Sequence, residues 1–223
     1  MVANVIAMHV EQASDVVPGE SQETRLRFIN DDIRGFYTDR RVQNRMPPLK
    51  MSNLYKDGFP ELHGSAVKAA NTRALVPYAM CLQERAAAAD PSAVNKHCLK
   101  VVQSLNDAIE LMYAASYFLT EDEGKKLDRL LHRMGVNYQL LAVLTCRDGA
   151  RKWKQPTKLH YAVGHLAEQA KLINPRCTVL RIRRARWKIS KIWKMSTDGP
   201  FEATIQKKIL AKYRTGMAID FSP

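Results

Sequence analysis

The sequence is short of the features that break, staple or anchor a chain. Its 223 residues include 10 glycines and 10 prolines, which excludes collagen-like and low-complexity chains. The four cysteines, Cys81, Cys98, Cys146 and Cys177, lie far apart with no C-x-x-C pair. They read as buried or free thiols in a reducing, intracellular compartment and not as a disulfide frame or zinc site. No apolar run approaches the ~18 residues of a membrane span, so no membrane partner is expected. The opening "MVANVIAMHVEQASDVVPGE" has a short apolar patch but no positive flank, and it soon meets Glu11 and Asp15, unlike a secretory signal.

Chemistry-bearing motifs are missing as well. There is no phosphate-cradling glycine loop, no nucleophile elbow and no Cys/His pair in a recognisable local context. His160 and His165 are five residues apart, about 140° on a helix, whereas two zinc ligands on one face need a spacing of four. Each reads as a structural histidine, and no metal or cofactor is expected. Glu121, Asp122 and Glu123 cluster at a helix start, where acids complement the helix dipole. The chain is expected not to be an enzyme.

What is present is a helical pattern with lopsided charge. Hydrophobic residues make up 46%, enough for a substantial core without staples. Residues 1–150 hold 18 basic and 18 acidic side chains, while residues 151–223 hold 17 basic and 4 acidic, so the whole net charge of +13 belongs to the last third. Such asymmetry points to an anionic partner for that third, DNA or RNA; the alternative is a solvated face that serves solubility.

The apolar spacing predicts an all-α fold of seven or eight helices with at most one short strand. Residues 1–20 read as a loose N-terminal arm. Leu26, Ile29, Ile33 and Phe36 mark an amphipathic helix from Ser21. "MPPLKMSNLYKDGFPELHG" reads as a long connector and the best candidate boundary. A helix bent or broken at Pro77 follows. Asp90 and Pro91 mark the start of the next, long helix, with a stripe from Val94 to Leu119. Thr120 and Glu123 form a capping-box pattern for another, striped by Leu127, Leu130, Leu131, Met134, Tyr138 and Leu141. These two form the central antiparallel pair. Further helices are expected over Gln155–Lys171, in a basic stretch to about Met195 and over Phe201–Tyr213, with "CTVLRI" as the one short strand. The organisation is therefore a 1–20 arm, a charge-neutral helical region over 21–150 and a basic helical region over 151–223 packed on the same core.

The stretch "RIRRARWKISKIWK", residues 181–194, carries seven positive charges, two tryptophans and no acid. On a helical wheel Ile182, Ala185, Ile189, Ile192 and Trp193 fall on one side, a normal core-facing stripe. Arg183, Arg184, Lys191 and Lys194 fall opposite, with Trp187 among them. Cations neutralise phosphates and an outward indole offers a flat face for base stacking, so these five residues are the candidate nucleic-acid site. The plain alternative has Trp187 packed under a loop with arginine stems over it. The same run also reads as a nuclear-import signal, which a folded helix would present poorly.

Two segments carry a resemblance: "ELHGSAVKAANTRALVPYAM", residues 61–80, and "WKQPTKLHYAVGHLAEQAKLINPRC", residues 153–177. The second resembles a proline–lysine–histidine helix late in CACTA-type transposase proteins. Together the two are similar to the C-terminal region of uncharacterised, transposon-associated open reading frames of dinoflagellate type, over about residues 50–216. Pro156, Lys158, His160, Asn174, Pro175 and Arg176 match that pattern. Its acidic cluster is missing, and Arg183, Arg184 and Arg186 stand in its place. The resemblance implies a fragment of a mobile-element protein without the region where transposase chemistry would lie. The functional expectation is a non-catalytic helical domain making sequence-nonspecific nucleic-acid contacts; the alternative is a helical interaction or scaffold domain.

Overall fold

The computed structural model describes residues 1–64, 67–147, 153, 159, 161–166, 170 and 174–175. All of them belong to one compact unit, Met1–Pro175. The described residues are all-α apart from one hairpin of two-residue strands: α1 (Val2–Glu11), α2 (Gln22–Asp39), α3 (Met51–Leu54), β1 (Tyr55–Lys56), β2 (Phe59–Pro60), α4 (Ala69–Ala89), α5 (Ala93–Ala114), α6 (Glu121–Arg147) and a π-helical turn at Tyr161–His165.

Residues 1–20 are not the loose arm their sequence suggests. Every residue of α1 from Val2 to Val10 is buried, and Val5, Ile6, Ala7 and Val10 are wholly so. A helix buried on every side belongs inside a core. Arg25 of α2 locks it there. Its guanidinium donates to the carbonyls of Val10 (2.7 Å), Gly19 (2.7 Å) and Glu11 (3.3 Å), satisfying the open end of α1 and the loop behind it.

The proline-rich stretch after α2 is not a boundary either. Met46, Leu49 and Leu54 are buried in the same core. Asn30 grips the stretch at two points, donating to Leu49 O (2.9 Å) and accepting from Leu49 N (2.8 Å). Asp57 and Gly58, both at positive φ (53° and 76°), close β1 onto β2. An Asp-Gly pair suits such a tight hairpin turn, which needs left-handed backbone at both positions. The expected strand "CTVLRI" lies outside the described residues.

Along α4 the helix runs continuously through Pro77 instead of breaking. The start of α5 also shifts: Ser92, not Asp90, is its N-cap, accepting from Asn95 N, while Asp90 ends α4. α5 stops at Ala114, short of Leu119. The Thr120 cap forms as its spacing predicts, with Thr120 N donating to Glu123 (2.8 Å) and Glu123 N to Thr120 Oγ1 (3.3 Å). Leu127, Leu131, Met134, Tyr138 and Leu141 are buried, the stripe read from the sequence, with Leu130 only half so. α5 and α6 pack as an antiparallel pair. His97 and Asn137, about equally far from the connecting turn, meet at 2.8 Å.

The described residues after α6 pack on this pair. Trp153 is buried edge-on against Tyr138, with ring centroids 5.1 Å apart and planes at 77°. Leu159 and Ala170 join the core. Asn174 is buried and donates to Met112 O and Ser116 O (2.9 Å each), while its own N–H bonds Tyr117 O (2.9 Å). It thereby satisfies carbonyls left over where α5 ends.

Candidate functional site

Arg183, Arg184, Trp187, Lys191 and Lys194 all lie outside the described residues, as do His160 and Arg176. The described part contributes a cleft that no motif in the sequence marks.

The cleft has a volume of about 570 Å³ and is lined by Met8, His9, Asp15, Asp90, Asn95 and Thr145 among others. Local sequence explains its walls. α1 ends at Glu11, so the chain turns through Gln12–Val16 across one side. α4 ends at Asp90 and α5 begins immediately after Ser92, which places a tight corner on the other. Thr145, on the last turns of α6, closes the third side; its hydroxyl donates to Leu141 O at 2.8 Å.

Along one wall runs a polar chain. Gln83, wholly buried, uses its amide nitrogen twice, donating to Asn95 O (3.2 Å) and Asn95 Oδ1 (3.0 Å). Its amide oxygen therefore faces His9 Nε2 at 3.2 Å, and an oxygen there requires the imidazole to donate from Nε2. Asn95 Nδ2 in turn donates to Asp90 O (3.0 Å) and Asp90 Oδ2 (2.9 Å). Burial pushes the His9 pKa below its ordinary value, against the hydrogen bond to Gln83, and the Arg85 charge adds to the lowering. His9 is thus the neutral Nε2–H tautomer at neutral pH, with a lone pair on Nδ1.

Other polar groups are structural. Tyr78 donates to Asp32 Oδ2 (3.0 Å), and Arg85 pairs with the same oxygen, tying α2 to α4. Burial and the Asp32 charge push the Tyr78 hydroxyl far up. Burial likewise pushes the Cys98 thiol up, so it is an inert core thiol. Among the described residues no group of three or more His, Cys, Asp or Glu side chains could hold a metal, and no helix is long and apolar enough to cross a membrane. α6 also shows an outward apolar stripe: Val136, Leu140 and Val143 are 42%, 42% and 55% exposed.

No protein-family model, curated protein or solved structure matches the chain.

Proposed function

We propose that this protein is a non-catalytic, transposon-derived helical domain that contacts nucleic acid without sequence specificity through its basic C-terminal third. One observation carries the reading: residues 1–150 are charge-balanced, while residues 151–223 hold 17 basic and 4 acidic side chains. Arg183, Arg184, Lys191 and Lys194 supply phosphate contacts and Trp187 a stacking face. The mobile-element origin rests on the resemblance of residues 61–80 and 153–177.

The test is a titration of the full chain against a labelled duplex and a labelled single strand at several salt concentrations. Affinity is expected to fall with salt, with a log–log slope of about −0.9 per duplex phosphate neutralised. Replacing Arg183, Arg184, Lys191 and Lys194 together with glutamine should make that slope shallower by about 0.9 for each phosphate no longer neutralised. Negligible binding of both probes at the lowest salt overturns the reading.

The stripe Val136, Leu140 and Val143 favours a second reading, a helical interaction or scaffold domain. Light scattering on a sizing column separates the two. An oligomer that Leu140→Glu dissociates supports the second reading; a monomer that shifts only on adding nucleic acid supports the first.

A further inference from the structure

We infer that Arg40, Arg41, Arg45 and Lys50 form a second surface for the phosphate backbone of nucleic acid, on the charge-balanced part of the chain. The ligand class rests on the reading above, but none of the residues proposed there takes part. The zero net charge of residues 1–150 conceals a local excess. From Arg40 to Lys56 the basic side chains are Arg40, Arg41, Arg45, Lys50 and Lys56, all exposed, and there is no acid. The first four lie on the loop that leaves α2 and folds back beside it. Its return is fixed at two points: Met46 N donates to the Tyr37 hydroxyl (3.4 Å), and Leu49 pairs with Asn30. Tyr37 and Asn30 lie about two helical turns apart, roughly 10 Å, so the loop carries its cations around the end of α2 and back along it.

The backbone of the loop is independent support. α2 ends in a Schellman turn: Arg41 N donates to Thr38 O (3.2 Å) and Val42 N to Tyr37 O (2.9 Å). Such a turn needs one residue in left-handed backbone, a seat that glycine fills without strain. Here the seat holds Arg41, at φ 51°. A long side chain kept in that conformation costs stability, and the cation is what the position gains. Its neighbours are held in place. The Arg40 guanidinium lies 4.9 Å from the centroid of the Phe36 ring, and Arg45 donates from Nε to Val42 O (3.1 Å), one of its five N–H groups. Among the described residues no carboxylate pairs with any of the four cations. Complementing the helix dipole accounts for a cation at the C-cap of α2, but not for Arg45 and Lys50 farther along. Guanidinium groups that are exposed, unpaired with acids and already positioned suit phosphate, which they meet with a planar fork. An anionic membrane would want apolar side chains beside the cations, and no large hydrophobic residue from 34 to 56 is exposed.

The experiment is a titration of a labelled duplex with the full chain and its variants over a range of salt. Replacing Arg40, Arg41, Arg45 and Lys50 together with glutamine should weaken binding at low salt by at least about tenfold. The log–log salt slope should become shallower by about 0.9 for each phosphate no longer neutralised. Lys96→Gln with Lys100→Gln, both exposed on α5, should leave the slope unchanged. If the quadruple variant fails to fold, Arg41→Gly with Arg45→Gln carries the test, because glycine suits the left-handed seat; the expected weakening is at least about threefold. Comparison with the variant in which Arg183, Arg184, Lys191 and Lys194 are glutamine separates the two sites. If only that variant loses affinity, the loop proposal fails and the earlier reading stands; if only the loop variant does, the earlier reading fails and the loop stands. Vesicles of phosphatidylcholine and phosphatidylserine form a second arm. A loop variant that loses vesicle binding but keeps its duplex affinity assigns the arginines to a membrane and overturns the proposal. Unchanged slope and affinity in the loop variants, or no duplex binding by the full chain at the lowest salt, overturns it as well.

Discussion

Asn174 sits in the Asn-Pro-Arg run that contributes to the transposon resemblance, and its amide closes the α5–α6 corner through Met112 and Ser116. That gives the asparagine a structural reason to be there, whatever its neighbours do. Two glycines show how position decides the sign of one substitution. Gly35 in α2 has open space where a Cβ would go, whereas a Cβ on Gly135 in α6 would meet Val163 Cγ2 at 2.7 Å. Gly35→Ala should stabilise the fold by about 0.5–1 kcal/mol through helix propensity. Gly135→Ala should forfeit that gain to a clash of about 1–3 kcal/mol and be net destabilising. Urea unfolding of both variants reads the two signs directly. His9 sets a pH dependence. Its folded pKa is depressed by burial, so above about 6.5, the ordinary histidine value, neither state holds the proton and stability is unaffected. Below that value the unfolded chain binds a proton the folded one resists, and stability falls until the folded pKa is passed. The urea midpoint should therefore be lower at pH 5.5 than at pH 7.5, and the gap should shrink in His9→Gln.

At the scale of elements, α6 forms through a local signal and α1 through a non-local one. The Thr120–Glu123 box occupies four consecutive residues and satisfies orphan donors at the start of α6. Thr120→Ala should cost about 0.5–2 kcal/mol in thermal or urea unfolding, the usual range for a lost N-cap. α1 has no side-chain cap and is buried from Val2 to Val10. It is a helix because α2 and α4 surround it and Arg25 completes its far end. The hairpin at Tyr55–Pro60 carries its own signal in Asp57-Gly58, yet the prolines on either side disguise it as a connector. Asn30 and the buried Leu49 and Leu54 decide otherwise.

For the whole molecule, charge segregation governs the proposed function and a division between two tryptophans tests it. The wheel puts Trp193 on the apolar side beside Ile189 and Trp187 among the cations. Trp193→Ala should destabilise by about 3–5 kcal/mol, as large core truncations do. Trp187→Ala should leave stability within about 1 kcal/mol and weaken single-strand binding by about 1–3 kcal/mol. Thermal unfolding and strand affinity measured on both variants separate the outcomes; the reverse pattern means the wheel has the wrong phase. The third tryptophan, Trp153, has no local pattern that marks it as core, and it packs edge-on against Tyr138 in the α6 seam. Only its meeting with a residue on α6 gives it that role.

Periodicity, caps and charge counts are relations among residues a few places apart, and the chain states them outright. The all-α class, the antiparallel α5–α6 pair, the Thr120 cap and the Leu127–Leu141 stripe follow from such relations. So does the confinement of net charge to residues 151–223. The burial of α1, the integration of residues 46–64 and the cleft depend on partners far along the chain. His9 meets Gln83 across 74 positions, and Asn174 meets Met112 across 62. No local pattern encodes such a meeting, because it is fixed by which helices pack together. The direction of the His9 lone pair requires one step more, since it follows from hydrogen bonds that form only once α1, α4 and α5 have assembled.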